Sequence, residues 1–181
     1  PETLPPLNID LLRSISTNEE QPDPGPVFYV PHRRNTFFTA REKILDDLHD
    51  AFTKDGASDA TTIRVLSGLG GMGKTQIAIE YAYRHQEHYR TVLWARADTP
   101  ETLFTDFVNF ADLLKLPGRQ EQDQKYTINA VKYWLNKHTD WLLILDNVED
   151  LRVVYEYFPP NSRGHILLTT RTQVAGGIAT R

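Results

Sequence analysis

From residue 61 onward, apolar runs alternate with amphipathic stretches. "TTIRVLSG" (61–68) is β-branched and apolar and stops at a glycine, which predicts a strand. Lys74 to about Glu87 places Ile77, Ala78, Tyr81 and Ala82 on one stripe, the pattern of a helix with a buried face. "TVLWARA" (91–97) predicts a second strand. "TPETLFTDFVNFADLLKL" (99–116) opens with a capping-box-like Thr99–Thr102 pair and carries Leu103, Phe104, Phe107, Phe110, Leu113 and Leu114, again a helix. After the polar gap "PGRQEQDQK", Tyr126 to Lys137 is amphipathic at helical spacing. "WLLILDNV" (141–148) is apolar without alternation, as a strand covered on both faces must be. A short helix is expected over Asp150–Phe158, stopped by Pro159–Pro160, and a fourth strand over "GHILLTTR" (164–171). Strands alternating with helices predict an α/β fold, a mainly parallel sheet between two helix layers.

The first 31 residues read differently, because they hold seven of the eleven prolines. Proline removes a backbone donor and fixes φ, so "PETLPPLNID" and "QPDPGPVFYVP" cannot be continuous helix or central strand. Residues 1–26 are therefore expected to be an arm or linker, with room for one short helix near Ile9–Ser16, and 27–181 to be the folded domain. Composition narrows the class of function. A net charge of −4 gives the domain no overall basic footprint for nucleic acid. The chain has no cysteine, which excludes a disulfide framework, a thiolate metal site and a cysteine nucleophile, and fits a cytoplasmic setting. No apolar run approaches membrane-spanning length, and no basic-then-apolar leader opens the chain, so neither membrane insertion nor a signal peptide is expected.

Between the first strand and the first of these helices stands Gly68-Leu69-Gly70-Gly71-Met72-Gly73-Lys74-Thr75, a match to G-x-x-x-x-G-K-[ST]. A phosphate chain needs several donors aimed into one small concavity. Consecutive backbone N–H groups supply them only where the chain coils tightly and side chains do not block the approach, hence the glycines. The helix that follows points its positive end at the same place. Gly70, Gly71, Met72, Gly73, Lys74, Thr75 and Gln76 are thus the candidate phosphate-binding positions. Lys74 reaches the outer phosphates as a point charge, and the Thr75 hydroxyl is a candidate Mg2+ ligand.

Such a site needs an acid at the end of a neighbouring strand to hold the metal, and "LLILDN" offers Asp146. Many related hydrolases place a second acid directly after it to activate water; here that residue is Asn147, whose amide positions a water but cannot take its proton. Glu149 and Asp150 are nearby acids; a solvated turn and a helix N-cap are their alternative roles. The last strand ends in Arg171, either a surface arginine or a bidentate reader of the terminal phosphate.

Together these segments resemble the NB-ARC nucleotide-binding core of the signal-transduction ATPases with numerous domains, the NLR-like regulators, in particular those found with tetratricopeptide repeats. The resemblance covers about residues 28–180. "GLGGMGKT" is the family's phosphate loop, "VLWARAD" its tryptophan-bearing strand, "LLILDN" its metal-acid strand and "HILLTTR" its sensor strand. "NTFFTARE" (35–42) resembles the upstream segment, usually ending Gly-Arg-Glu, that holds the adenine; it supplies Phe38 and Arg41 as candidate nucleotide contacts. The resemblance implies a three-layer P-loop NTPase sandwich with ATP or ADP and Mg2+ as ligands. Its implied catalytic residues are Lys74, Asp146 and Arg171, with Arg171 reading the γ-phosphate, and its implied metal ligands Thr75 and Asp146. It also implies an ADP-bound rest state, homo-oligomerisation with ATP, and further helical and winged-helix domains in the full-length chain. Ala40 replaces the family's glycine, and Asn147 replaces the second acid of many members.

Three classes of function remain in view: a slow regulatory switch, a fast ATPase or phosphotransferase, and a passive module with a dead loop. Intact Lys74, Thr75 and Asp146 disfavour the last. Asn147 and the absence of an acceptor-site motif favour the first. His85 and His88, three apart on a helix, read as a solvated face, Arg33–Arg34 as a solvated loop, and Trp94, Trp134 and Trp141 as packing.

Overall fold

The computed structural model describes residues 23–39, 41–53, 60–116, 124–160 and 162–172. Five strands form one sheet: β1 (Val27–Tyr29), β2 (Thr62–Ser67), β3 (Thr91–Arg96), β4 (Thr139–Val148) and β5 (Arg163–Thr170). Their spatial order is β1-β3-β4-β5-β2, and all four pairings are parallel. The helices are α1 (Glu42–Thr53), α2 (Lys74–Arg84), α3 (Pro100–Leu113), α4 (Gln124–Lys137) and α5 (Leu151–Tyr155), with a short 3-10 turn at Gln86–His88.

The register explains why the sheet has two cores. Leu93, Leu143, Ile166 and Ile63 lie in one row across β3, β4, β5 and β2. Their side chains point to one face, because successive strand residues alternate between faces. There they meet Phe107 and Phe110 of α3, Val131 and Leu135 of α4 and Val154 of α5. The next row holds Trp94, Ile144 and Leu167, which point the other way. They pack on Leu45, Leu48 and Phe52 of α1 and Ile77, Ala78 and Tyr81 of α2. The result is the three-layer α/β sandwich with a parallel central sheet that the alternating pattern and the glycine motif predict. Trp94, Trp134 and Trp141 are all buried, as packing residues should be. Trp141 also donates its indole N–H to the Leu135 carbonyl at 2.9 Å, and Gly164 leaves the space that its ring fills.

The predicted elements are present with small shifts at their ends. Thr99 caps α3 in a reciprocal box: its hydroxyl accepts the Thr102 N–H, and its own N–H donates to the Thr102 hydroxyl, both at 3.2 Å. Asp150 caps α5 by accepting the Arg152 N–H. Two elements were not predicted. β1 is three residues long and flanked by prolines, and it survives because it is an edge strand paired only with β3. α1 carries a Leu45–Leu48–Phe52 stripe, but no Ser, Thr, Asp or Asn stands directly before Glu42 to mark its start. The short helix expected near Ile9–Ser16, and most of the arm at 1–26, lie outside the described residues.

Candidate functional site

The site lies at the carboxyl edge of the sheet, where β2 gives way to the glycine loop. Gly71 and Gly73 adopt φ of +78° and +74°, a region costly for side chains with a Cβ. Gly73 is the N-cap of α2, so the loop runs directly into the positive end of that helix. The bare surface is also closely approached: a Cβ on Gly73 would stand 3.3 Å from the Arg41 guanidinium. Lys74 turns back over the loop and donates to the Gly68 and Leu69 carbonyls at 2.7 and 2.8 Å. Its ammonium is thereby held at the mouth of the loop.

Asp146 does not sit on the strand next to the glycine loop. β5 lies between β4 and β2, so the acid and the loop are one strand apart. Thr169 on β5 bridges this distance. Its hydroxyl donates to Asp146 Oδ1 at 2.5 Å and accepts the Asn147 N–H at 2.8 Å. Thr75, at the first turn of α2, donates to the same Asp146 oxygen at 2.9 Å. The β4–β5 register shifts just after Leu145, and Asn147 takes φ of +60°. This is a left-handed conformation that Asn tolerates better than most residues. The bulge therefore favours Asn or Asp at 147 over most residues, without itself deciding between amide and acid.

Gly70, Gly71, Gly73, Lys74, Thr75, Gln76, Asn147, Thr169, Thr170 and Arg171 line one cleft of about 280 Å³. That is the lower end of the size range for small-molecule sites, suited to a polyphosphate chain rather than to a whole nucleotide. Arg171 follows directly on β5 and lies against Gly70, and its guanidinium donates to Glu149 at 2.7 Å. The Thr75 hydroxyl and Asp146 carboxylate are hard oxygen donors side by side at the cleft. They fit Mg2+, which takes one or two protein oxygens and completes its shell with phosphate and water.

The remaining candidate residues divide. Arg41 comes to the loop and donates to the Met72 carbonyl. Met72 itself is exposed and contributes backbone rather than side chain. Phe38 packs on the core beneath α1 and α2 instead of lining the cleft. The segment carrying Phe38 and Arg41 is fastened by ion pairs that the sequence reading missed. Arg34 grips the buried Glu80 of α2 through two bonds, at 2.8 and 3.1 Å. Arg84 bonds the same carboxylate at 2.7 Å and reaches on to Glu42 at the start of α1. The Arg34 guanidinium, aided by Arg84 against the opposing effect of burial, holds the Glu80 carboxyl below its usual range. Arg34 is thus part of this network rather than a solvated loop. The signal was present as a carboxylate one residue from the apolar stripe of α2 with an arginine four positions on. Thr169 was missed for a different reason: a hydroxyl in "LLTTR" looks like ordinary strand propensity.

Of the two histidines read as a solvated face, His88 is exposed, whereas His85 is partly buried. His85 stacks on His49 of α1 with ring centroids 4.1 Å apart, and His88 lies 5.6 Å from His85. Among the described residues no cluster of three or more His, Cys, Asp or Glu side chains is placed to hold a metal ion. Nor is any described helix long and apolar enough to cross a membrane.

A parallel sheet with a glycine loop between β2 and α2, an acid on β4 and a further strand, β5, inserted between them is the arrangement of the P-loop NTPase class. Solved structures of that class align over most of the chain. The ORC2 protein of Aeropyrum pernix, determined as ADPNP–ADP complexes, matches with TM-score 0.54 and 16% identity over 78% of this chain and 44% of its own. Cdc6p of Pyrobaculum aerophilum matches with TM-score 0.55 and 12% identity over 79% of this chain and 42% of its own. Within that class the chain belongs to the NB-ARC family, whose domain model matches residues 41–180. A nucleotide-binding leucine-rich repeat (NLR)-like protein of Hyaloscypha variabilis is 31% identical over 91% of this chain. The transcription activator GutR of Bacillus subtilis is 30% identical over 61% of it. The chain spans only 19% and 15% of the lengths of these two relatives.

Proposed function

We propose that this NB-ARC domain is a regulatory switch that holds ADP at rest, exchanges it for ATP and hydrolyses ATP slowly. In this reading the loop N–H groups and Lys74 bind the phosphates, and Arg41 and the segment around Phe38 lie toward the adenine. Thr75 and Asp146 hold Mg2+, which when bound neutralises charge on the phosphates. Arg171 senses the terminal phosphate. The proposal extends to a cytoplasmic setting and an arm at 1–26 ahead of the domain at 27–181. It includes further domains of a longer chain as partners, self-association in the ATP state, and no direct contact with nucleic acid.

The observation that carries this reading is the convergence of Lys74, Thr75 and Arg171 on one cleft, beside Asp146, without an acid at position 147. Of the nearby acids, Asp150 caps α5 and Glu149 pairs with Arg171 in this structure, and neither takes the position directly after Asp146 that Asn147 holds. A site that binds through many contacts but lacks a base next to the metal acid favours retention over turnover. The test is to identify the nucleotide retained on purification and then to measure single-turnover hydrolysis with Mg2+. Retained ADP with turnover on the scale of minutes supports the switch. Rapid multiple turnover by this chain alone supports a fast P-loop enzyme instead.

A further inference from the structure

Arg171 faces two ways. Its aliphatic part lies against Gly70, within the cleft that Lys74 and Thr75 also line. Its guanidinium, however, donates to Glu149, which stands three residues beyond Asp146 and does not itself line the cleft. The pair is open to water, with side chains 60% and 56% exposed. An ion pair so exposed is weak, because water screens the attraction and two long side chains must be ordered. A terminal phosphate in the cleft offers the same guanidinium several oxygens and a greater charge, the geometry for which arginine is best suited. Carboxylate and phosphate therefore compete for one cation.

We propose that Glu149 is a specificity residue: it competes with the terminal phosphate of ATP for Arg171, and so sets how strongly the site prefers a nucleoside triphosphate over a diphosphate. This rests on the reading of the cleft as an adenine-nucleotide site. In the diphosphate state Glu149 keeps Arg171 on the rim. In the triphosphate state Arg171 turns from Glu149 to the phosphate, and the loop that follows β4 loses its tie to the end of β5. Glu149 thereby weakens ATP without touching ADP, and its removal shifts the preference toward ATP.

The experiment is titration calorimetry of the intact chain with Mg2+ and either ADP or AMPPNP, for the wild type, Glu149→Gln, Arg171→Ala and the double variant. Glu149→Gln should tighten AMPPNP binding about 1.5- to 5-fold, the range expected for an exposed pair, and leave ADP within error. In the Arg171→Ala background the same substitution should have no effect on either ligand, because the competition needs the arginine. Three results overturn the inference. One is an unchanged AMPPNP-to-ADP ratio in Glu149→Gln. Another is a gain that persists without Arg171, which would mean simple repulsion of phosphate by Glu149. The third is a hundredfold loss of single-turnover hydrolysis in Glu149→Gln at saturating ATP, which would make Glu149 the base. If the wild type binds neither ligand, the nucleotide-site reading itself fails; if it binds both and the ratio does not move, only the role of Glu149 fails.

Discussion

The Thr75 hydroxyl donates to Asp146 Oδ1 at 2.9 Å, joining the first turn of α2 to the end of a strand that is not adjacent to the glycine loop. Thr169 completes the connection from the strand between. This relationship fixes where a metal-bound phosphate would sit. Asp146→Asn keeps the shape and removes the charge. Wild-type ATP binding should weaken about 10- to 100-fold when EDTA removes Mg2+, the scale of a lost charged contact, whereas the variant should already bind weakly and respond little to EDTA. Equal sensitivity to EDTA in both proteins would show that Asp146 does not hold the metal.

Asn147 tests whether a missing base limits hydrolysis. Its φ of +60° suits Asp as well as Asn, so Asn147→Asp should fold normally. A positioned general base contributes roughly 10²- to 10⁴-fold, and even a poorly aimed one should raise the single-turnover rate at least about tenfold. An unchanged rate would mean that the amide is not what slows the reaction. Asn147→Ala provides the stability control: a Cβ without a local polar partner at this φ should cost about 1 kcal/mol, read as a lowered unfolding midpoint.

The shape of the glycine loop was legible in the sequence, because such a loop is local. The seven residues from Gly68 to Lys74 must coil, and glycines at the left-handed positions, Gly71 and Gly73, allow it. Asp146 was legible because four aliphatic residues before it mark the end of a buried strand. The sheet order was not. That β5 lies between β2 and β4 depends on pairings more than twenty residues apart in sequence, which no local pattern encodes. The role of Thr169 follows from that order alone. The Arg34–Glu80–Arg84 network was hidden for the same reason, since Arg34 and Glu80 are 46 positions apart.

Gly164 gives a purely structural prediction. A Cβ there would meet the buried Trp141 ring at 2.2 Å, far inside contact distance. Both residues lie deep in the core, so neither can move aside cheaply. Gly164→Ala should destabilise the fold by about 3 kcal/mol or more, a fall of roughly 6–12 °C in Tm for a domain of this size. A change under about 2 °C in thermal unfolding would contradict the packing described for β4 and β5.

The histidines at the other end of the sheet predict how stability depends on pH. Burial lowers His85 to about 4, helped by His49, His88 and Arg84 and opposed by Asp46. Burial likewise lowers His165 to about 4, helped by Arg64 and His49 and opposed by Asp140, while its Nδ1 lies 2.7 Å from the Tyr89 hydroxyl. Unfolding returns both to about 6.5, so between pH 6.5 and 4 the unfolded chain binds more protons than the folded one. Stability is therefore full above about 6.5 and falls as the pH drops toward 4, by at most about 1.4 kcal/mol per pH unit per group. Glu80, held below its usual range by Arg34 and Arg84, adds a loss of stability of its own only as the pH falls through the carboxylate range, at the bottom of this window. Thermal unfolding should occur at lower temperature at pH 5 than at pH 7, and His165→Gln should reduce the difference. Identical midpoints at the two pH values would contradict the burial of these rings.

In the proposed switch, the cleft between the glycine loop and Arg171 holds the phosphates of an adenine nucleotide through Lys74. Calorimetric titration of the chain with Mg2+ and ADP, beside the same titration of Lys74→Ala, tests it most directly. One ADP should bind per chain, with at least about a tenfold loss of affinity in the variant, the scale of a charge-assisted phosphate contact. No binding by the wild type, or equal affinity in both proteins, would contradict it.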